Sequence, residues 1–95
     1  MTKRIALITG GMGGLGETIS MKMADAGYRV AVTFSPSNKT SEQWISDMKG
    51  KGYDFRAYPC DVTDFDSSKA CVAAVIKDLG PVDILVNNEI GRAHV

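Results

Sequence analysis

Residues 5–16, IALITGGMGGLG, predict a buried strand, a tight glycine turn and the start of a helix. The glycines fit the spacing G-x-G-x-x-G at Gly11, Gly13 and Gly16. A helix that begins directly after such a turn points its first N–H groups and the positive end of its dipole at the turn. This arrangement predicts a binding site for the phosphates of a nucleotide.

The same run also fits a narrower pattern, T-G-x-x-x-G-x-G. Its members are Thr9, Gly10, Gly14 and Gly16. A Cβ atom in such a turn holds a pyrophosphate away from the backbone, so the pattern needs glycine for steric reasons. A flexible glycine loop is the alternative, but the strand before the turn and the helix after it favour the nucleotide site.

The composition favours a cytoplasmic globular domain. The chain has 95 residues, of which 44% are hydrophobic, and 11 basic residues balance 11 acidic ones. This balance gives no broad attraction to nucleic acid or to a membrane surface, and no apolar run approaches the roughly 20 residues that span a bilayer. Cys60 and Cys71 are predicted to be small buried or half-buried thiols, and no metal site is expected because His94 stands alone.

Apolar runs and helical periodicities alternate along the chain as βαβαβαβ. The predicted strands cover residues 4–9, 29–34, 53–58 and 83–87. This alternation predicts the N-terminal portion of a Rossmann-like, doubly wound parallel sheet of the α/β class, with strand order 3-2-1-4.

Each predicted helix carries an apolar stripe. The stripe residues of the first helix are Leu15, Ile19, Met23 and Ala26, those of the second are Trp44, Ile45 and Met48, and those of the third are Val72, Val75, Ile76 and Leu79. Thr40 is the predicted N-cap of the second helix, with Gln43 in a capping box, and Asp64 is the predicted N-cap of the third.

The end of the second strand indicates which coenzyme the site prefers. An acid that binds the ribose of NAD usually stands about 20 residues after the glycine turn, but residues 33–35 are Thr-Phe-Ser. The missing acid favours NADP(H), whose 2′-phosphate Ser35, Ser37 and Asn38 can bind with hydrogen bonds and Lys39 with its charge. An ordinary solvated turn is the alternative.

Two further polar groups follow strands at the same edge of the sheet. Asp61, after the third strand, can accept a hydrogen bond from an adenine amino group, with Val62 packed on the ring. Asn87 and Asn88 end the fourth strand, where an asparagine amide can tie two loops together. A turn or capping role for Asp61 and a structural role for the asparagines remain open.

On these motifs the sequence resembles the short-chain dehydrogenase/reductase superfamily. Within it, GGMGG at 10–14, EQW at 42–44 and GYDF at 52–55 resemble bacterial NADPH-dependent acetoacetyl-CoA reductases of polyhydroxyalkanoate synthesis. The resemblance covers residues 1–88 and implies a truncated NADP-binding domain. Residues 89–95 depart from the family pattern, because Glu89 and Ile90 stand where the family has Ala-Gly, and a cloning junction or frameshift is our hypothesis for them.

The resemblance also implies which residues bind the coenzyme. The implied cofactor-binding residues are Gly10, Gly13, Gly14, Leu15 and Gly16 for the pyrophosphate, Ser35, Lys39 and Thr40 for the 2′-phosphate, Cys60, Asp61 and Val62 for the adenine, and Asn88 for its ribose. Thr40 stands where close members of the family place an arginine.

The family's catalytic serine and Tyr-x-x-x-Lys pair are missing. Tyr28, Tyr53 and Tyr58 are not followed by lysine four positions later, so the chain is expected to be inactive by itself. In the intact protein the resemblance implies reduction of acetoacetyl-CoA by NADPH, commonly in a homotetramer. The alternatives are a 3-oxoacyl-acyl-carrier-protein reductase, a non-catalytic dinucleotide-binding protein, and a remnant that does not fold.

Overall fold

The structure is a computed structural model that describes residues 4–12, 14–61 and 63–87. Strands and helices alternate throughout this part of the chain. In order they are β1 (Ile5–Thr9), α1 (Gly14–Asp25), β2 (Arg29–Phe34), α2 (Ser41–Gly50), β3 (Arg56–Pro59), α3 (Phe65–Leu79) and β4 (Ile84–Asn87). The predicted βαβαβαβ order is therefore confirmed.

All strand pairs of the sheet are parallel, and the described strands lie in the order β3-β2-β1-β4, as predicted. Apolar residues alternate between the two faces of the central strands. One core contains Ile8, Val30 and Val32 together with Trp44 and Met48 of α2. The other contains Ile5, Leu7, Ala31 and Val75 of α3. Helices cover both faces, which is the doubly wound arrangement of the α/β class.

The predicted apolar stripe of α1 is partly wrong. Leu15 is 68% exposed and Ala26 lies exposed beyond the end of the helix, whereas Gly16 and Ser20 are the buried residues of α1. Small residues face the sheet here because the chain around the glycine turn packs very close to β2. The larger Ile19 and Met23 pack beside this contact and are only partly buried.

The buried face of α3 also differs from the predicted apolar stripe. Cys71 and Val75 are buried, whereas Val72 and Ile76 are exposed. The N-cap of α3 is as predicted, because the Asp64 carboxylate accepts hydrogen bonds from the N–H groups of Asp66 and Ser67. Both cysteines are buried, as predicted.

The capping box predicted for α2 does not form. The Thr40 hydroxyl donates to Asn38 Oδ1 at 2.8 Å, and the Gln43 amide donates to Asp47 at 2.8 Å. The Thr40 side chain therefore bonds back to Asn38 in the preceding loop and not forward to an N–H of α2.

The third strand is shorter than predicted. The N–H of Tyr53 still donates to the carbonyl of Met48 at the end of α2, at 2.9 Å, so pairing with β2 begins only at Arg56. Phe55 is buried before the strand begins, and its ring stacks between those of Trp44 and Tyr53 at centroid distances of 5.4 and 5.2 Å. In the described part of the chain, no helix is long and apolar enough to cross a membrane.

Candidate functional site

The glycine turn, the loop after β2 and the turn after β3 lie at one edge of the sheet. Because the strands are parallel, their carboxyl ends point the same way, and each is followed by a segment that contains predicted site residues. Asn87, the last residue of β4, lies at this edge too, opposite Thr9 of β1.

The glycines of the turn divide into two kinds. Gly10 and Gly14 have φ angles of 62° and 51°, which residues with a side chain rarely adopt. A Cβ on Gly14 meets no atom within 4 Å, so this position faces open space. A Cβ on Gly11 lies 2.5 Å from Val32 Cγ1, so Gly11 is required for packing against β2. Gly13 lies outside the described residues.

The N-terminus of α1 faces the same open space. Gly14 begins the helix, Leu15 is exposed beside it, and Gly16 is buried toward the sheet. Glu17 places an acid in the first helical turn, but its carboxylate accepts a hydrogen bond from Trp44 Nε1 of α2 at 2.7 Å. The first N–H groups of a helix have no carbonyl partner within the helix, so those at the start of α1 are the donors that an anion can use.

The loop after β2 is mostly exposed, and several of its polar side chains hydrogen-bond to one another. The hydroxyl groups of Ser35 and Ser37 lie 3.0 Å apart, and Asn38 Oδ1 accepts from the N–H and the hydroxyl of Thr40 at 2.6 and 2.8 Å. Lys39, Ser35 and Thr40 are exposed. The structure therefore places the predicted 2′-phosphate residues in one short, solvent-facing loop.

The turn after β3 presents a fixed carboxylate. Asp61 is exposed, and its Oδ1 accepts from the hydroxyl of Thr63 at 2.6 Å and from its N–H at 3.0 Å. These two hydrogen bonds, first that from the hydroxyl, lower the pKa of the Asp61 carboxyl below its usual range. The turn role that the sequence left open is thus present, and it holds Asp61 ionised. Val62 lies outside the described residues.

Cys60 contributes to this edge differently from the residues around it. Its thiol is buried and approaches the hydroxyl of Ser68 on α3 at 3.8 Å, and its N–H donates to the carbonyl of Phe34 at 2.9 Å. Burial raises the pKa of the neighbouring Cys71 thiol to about 11, and Cys60 adds to this shift. Cys60 therefore anchors the β3 end to β2 and α3.

The end of β4 is tied to the end of β1. The hydroxyl of Thr9 lies 3.0 Å from Asn87 Oδ1 and 3.4 Å from the carbonyl of Val86. Asn87 therefore has the structural, loop-tying role that the sequence left open, whereas Asn88 lies outside the described residues.

Two buried hydroxyl groups beside the glycine turn were missed by the sequence analysis as site residues. Thr33 Oγ1 accepts from the N–H of Gly10 at 3.1 Å, and Ser20 Oγ lies 3.1 Å from the carbonyl of Gly11. The available signal was the position of Ser20 one helical turn after Gly16, where a small polar residue fits a close helix–strand contact.

Comparison with known proteins identifies the family. The family model for short chain dehydrogenase matches residues 4–91. This chain belongs to the short-chain dehydrogenase family. The match includes the glycine turn and all the helices and strands described above.

Relatives and solved structures agree with this assignment. The chain is 42% identical over 88 residues to acetoacetyl-CoA reductase from Cupriavidus necator, covering 93% of this chain and 36% of the relative. It is 40% identical to 3-oxoacyl-[acyl-carrier-protein] reductase FabG from Staphylococcus aureus, covering 93% and 35%. A crystal structure of actinorhodin polyketide ketoreductase with NADPH superposes with a TM-score of 0.83 at 32% identity, covering 93% and 34%. The chain therefore spans about a third of the length of the relatives it matches.

Two of the three tyrosines of this short-chain dehydrogenase chain hydrogen-bond to carboxylates. The Tyr58 hydroxyl donates to Asp78 at 3.0 Å, and burial together with this bond raises the pKa of Tyr58 to about 12. The Tyr53 hydroxyl donates to Asp25, which raises its pKa too. Both hydroxyl groups therefore bind carboxylates within the fold, Tyr53 that of Asp25 in α1 and Tyr58 that of Asp78 in α3. In the described residues, no group of histidine, cysteine and acidic side chains has the arrangement of a metal site.

Proposed function

We propose that this chain is the coenzyme-binding portion of an NADPH-dependent ketoreductase whose substrate is acetoacetyl-CoA. The observation that carries the proposal is the open glycine turn at the start of α1. Gly14 has φ 51° and faces space free of protein atoms, as the close approach of a diphosphate to the backbone requires.

The residues at the carboxyl edge fit a dinucleotide in extended form. The turn and the helix start, including Gly10, Gly14, Leu15 and Gly16, bind its diphosphate, and Gly13 belongs to the same stretch. Asp61, held ionised by Thr63, accepts from the adenine amino group beside Cys60 and Val62. Asn88, which follows Asn87 in the sequence, is the proposed contact at the adenine ribose.

The loop after β2 favours NADPH over NADH. Its polar groups at Ser35 and Thr40 are exposed, and Lys39 supplies a positive charge where an acid would repel a 2′-phosphate. The NADPH in the ketoreductase structure with 32% identity supports the same choice.

When bound, NADPH supplies the hydride that reduces the C3 ketone of the substrate. The residues of this chain bind and orient the dinucleotide, and the proton donor and the substrate-binding residues of the intact reductase come from other parts of the protein. Acetoacetyl-CoA reductase and the acyl-carrier-protein reductase are 42% and 40% identical to this chain, so the thioester carrier has to be determined by experiment.

The test uses the protein expressed from the whole reading frame that contains this sequence. NADPH and NADH binding are measured by titration, and NADPH oxidation is followed at 340 nm with acetoacetyl-CoA and with acetoacetyl-acyl-carrier protein. We expect tighter binding of NADPH than of NADH, and oxidation that is faster with the CoA thioester. Faster turnover with the acyl-carrier-protein thioester would assign the alternative carrier. Coenzyme binding without turnover would indicate a dinucleotide-binding protein, and no binding would overturn the proposal.

A further inference from the structure

Two polar side chains in the described part of the chain are buried, and both contact the glycine turn. Ser20 on α1 is 0% exposed, and Thr33 on β2 is 1% exposed. The rest of this core is apolar, and a hydroxyl group is kept in such a place only where it has hydrogen-bond partners. Every buried side-chain nitrogen or oxygen atom in these described ranges has such a partner.

The two hydroxyl groups bond the turn from two different elements, Thr33 from β2 and Ser20 from α1. Thr33 Oγ1 accepts from the N–H of Gly10 at 3.1 Å. Ser20 Oγ donates toward the carbonyl of Gly11 at 3.1 Å and toward that of Gly16, in the first turn of α1, at 2.8 Å. Thr33 therefore connects the turn to β2, whereas Ser20 connects it to the helix.

Packing alone does not fix the orientation of these peptide groups. The contact between Gly11 and Val32 sets how closely the turn approaches β2. Gly10, with φ 62°, has access to more backbone conformations than any other residue type, so its peptide plane needs directional contacts to hold one orientation. The hydroxyl groups of Ser20 and Thr33 supply such contacts.

We propose that Ser20 and Thr33 are positioning residues for the diphosphate of the coenzyme. They act through Gly10 and Gly11, whose orientation decides where the N–H groups at the start of α1 point. The inference rests on the proposed function, because it assumes that a dinucleotide binds at this turn. Neither hydroxyl group touches the ligand itself, since both are buried.

The test compares Thr33→Val and Ser20→Ala, which remove each hydroxyl group with little change of volume, with Thr33→Ser, which keeps the hydroxyl. Ser46→Ala, an exposed position on α2, is the matched control. Dissociation constants are measured in the protein from the whole reading frame for NADPH, NADH and adenosine 2′-monophosphate. Only the last of these ligands lacks a diphosphate.

We expect Thr33→Val and Ser20→Ala to weaken NADPH and NADH binding equally, by about tenfold. A change of this size corresponds to the loss of about one hydrogen bond between the turn and the diphosphate. Binding of adenosine 2′-monophosphate should change by less than about twofold, within the range of a minor surface effect. Thr33→Ser should restore wild-type binding. Equal weakening of all three ligands would mean a general loosening of the fold, and unchanged NADPH binding in both variants would also overturn the inference.

Hydrogen exchange of the Gly10 amide separates this inference from the proposed function. Thr33→Val removes the acceptor at 3.1 Å and should speed exchange at Gly10, whereas exchange in β1 stays slow. If the wild-type protein binds no dinucleotide, the proposed function fails and the positioning role fails with it. If wild type binds NADPH but exchange and affinity are unchanged in the variants, only the positioning role fails.

Discussion

The glycine turn after β1 and the loop after β2 lie at the same edge of the sheet but are held in different ways. The turn is fixed by the core, through Val32 against Gly11 and through the buried hydroxyl groups of Ser20 and Thr33. The loop is held by exposed hydrogen bonds among its own residues, between Ser35 and Ser37 and between Asn38 and Thr40. A change in the turn therefore disturbs the core, whereas a change in the loop stays local.

This difference matches the parts of a dinucleotide that the two segments are proposed to bind. The diphosphate is common to NADH and NADPH, and the segment proposed to bind it is built into the packing of α1 on β2. The 2′-phosphate distinguishes the coenzymes, and the segment proposed to bind it consists of exposed side chains. We therefore expect substitutions in this loop to change coenzyme preference without destabilising the core.

The largest expected effect comes from adding one methyl group to the turn. Gly11→Ala places a Cβ 2.5 Å from Val32 Cγ1 and 2.8 Å from Val32 Cβ, so the strand or the turn has to move. We expect a loss of about 2 kcal/mol in the free energy of unfolding, as for other overpacked cores. Denaturant unfolding of the protein expressed from the whole reading frame measures this loss of stability.

Gly50→Ala is the matched control, because a Cβ at Gly50 in α2 meets no atom within 4 Å. It should stabilise the protein slightly, by less than about 1 kcal/mol, through helix propensity. Gly11→Ala should cost less in a Val32→Ala background than in wild type, because the contact with Val32 Cγ1 at 2.5 Å is then absent while the contact with Val32 Cβ at 2.8 Å remains. An unfolding free energy of Gly11→Ala equal to that of wild type would contradict the close packing of the turn.

The elements of the fold were predictable because each depends on a local signal. The apolar run before the glycines, the glycines themselves and the acid at Asp64 all act within a few residues. The strand order follows from the alternation of strands and helices, which the parallel sheet confirms.

The inner faces of the helices were less predictable, because periodicity does not say how closely a helix approaches the sheet. Leu15 fits an apolar stripe, but the close approach near Gly11 selects Gly16 and Ser20 instead. For the same reason the site was predicted only in outline. The sequence does not distinguish a serine or threonine that hydrogen-bonds to a turn from within the core from one that faces solvent.

The contact between Trp44 and Glu17 links the two regions being compared. The indole N–H, from the helix after the loop, donates to the Glu17 carboxylate in the first turn of α1, at 2.7 Å. Trp44→Phe removes this hydrogen bond to a charged group and should cost about 1 kcal/mol, allowing for the partial exposure of Glu17. Thermal unfolding measures the loss.

Glu17→Gln keeps an oxygen acceptor for the indole and should cost less than Trp44→Phe. A double-mutant cycle over the two positions isolates the energy of the contact from the stacking of Trp44 on Phe55. A coupling energy of zero would show that this hydrogen bond does not stabilise the packing of α2 against α1.

A substitution in the loop after β2 is expected to have a smaller effect, which lowers the affinity for one coenzyme only. Lys39→Ala removes the exposed positive charge near the proposed 2′-phosphate position, and exposed charge interactions contribute about 1 kcal/mol or less. We therefore expect NADPH affinity to fall by about fivefold or less, NADH affinity to stay the same, and the difference to shrink in high salt. Lys51→Ala, an exposed lysine in the turn that follows α2, is the control. Equal loss for both coenzymes would contradict the assignment of the loop.

The smallest expected effect concerns a hydrogen-bonding pattern that occurs in the loop after β2 and again in the turn after β3. Asn38 Oδ1 accepts from the N–H and hydroxyl of Thr40, and Asp61 Oδ1 accepts from the same groups of Thr63. Only the second acceptor titrates. Because Thr63 lowers the pKa of Asp61, ionised Asp61 stabilises the fold above the pKa of the unfolded chain, and this contribution is lost as the pH falls through the folded pKa.

Thr63→Val removes the hydroxyl donor and leaves the N–H, so the pKa of Asp61 should rise partway toward its ordinary value. The acid-side loss of stability that Asp61 causes should shrink accordingly, because the folded and unfolded pKa values come closer together. An NMR titration of the Asp61 carboxyl carbon measures the first change, and unfolding at several acidic pH values measures the second. Thr40→Val, the matched substitution beside the neutral Asn38, should leave the pH dependence unchanged. An unshifted Asp61 titration in Thr63→Val would mean that the hydroxyl contact does not set the charge of this turn.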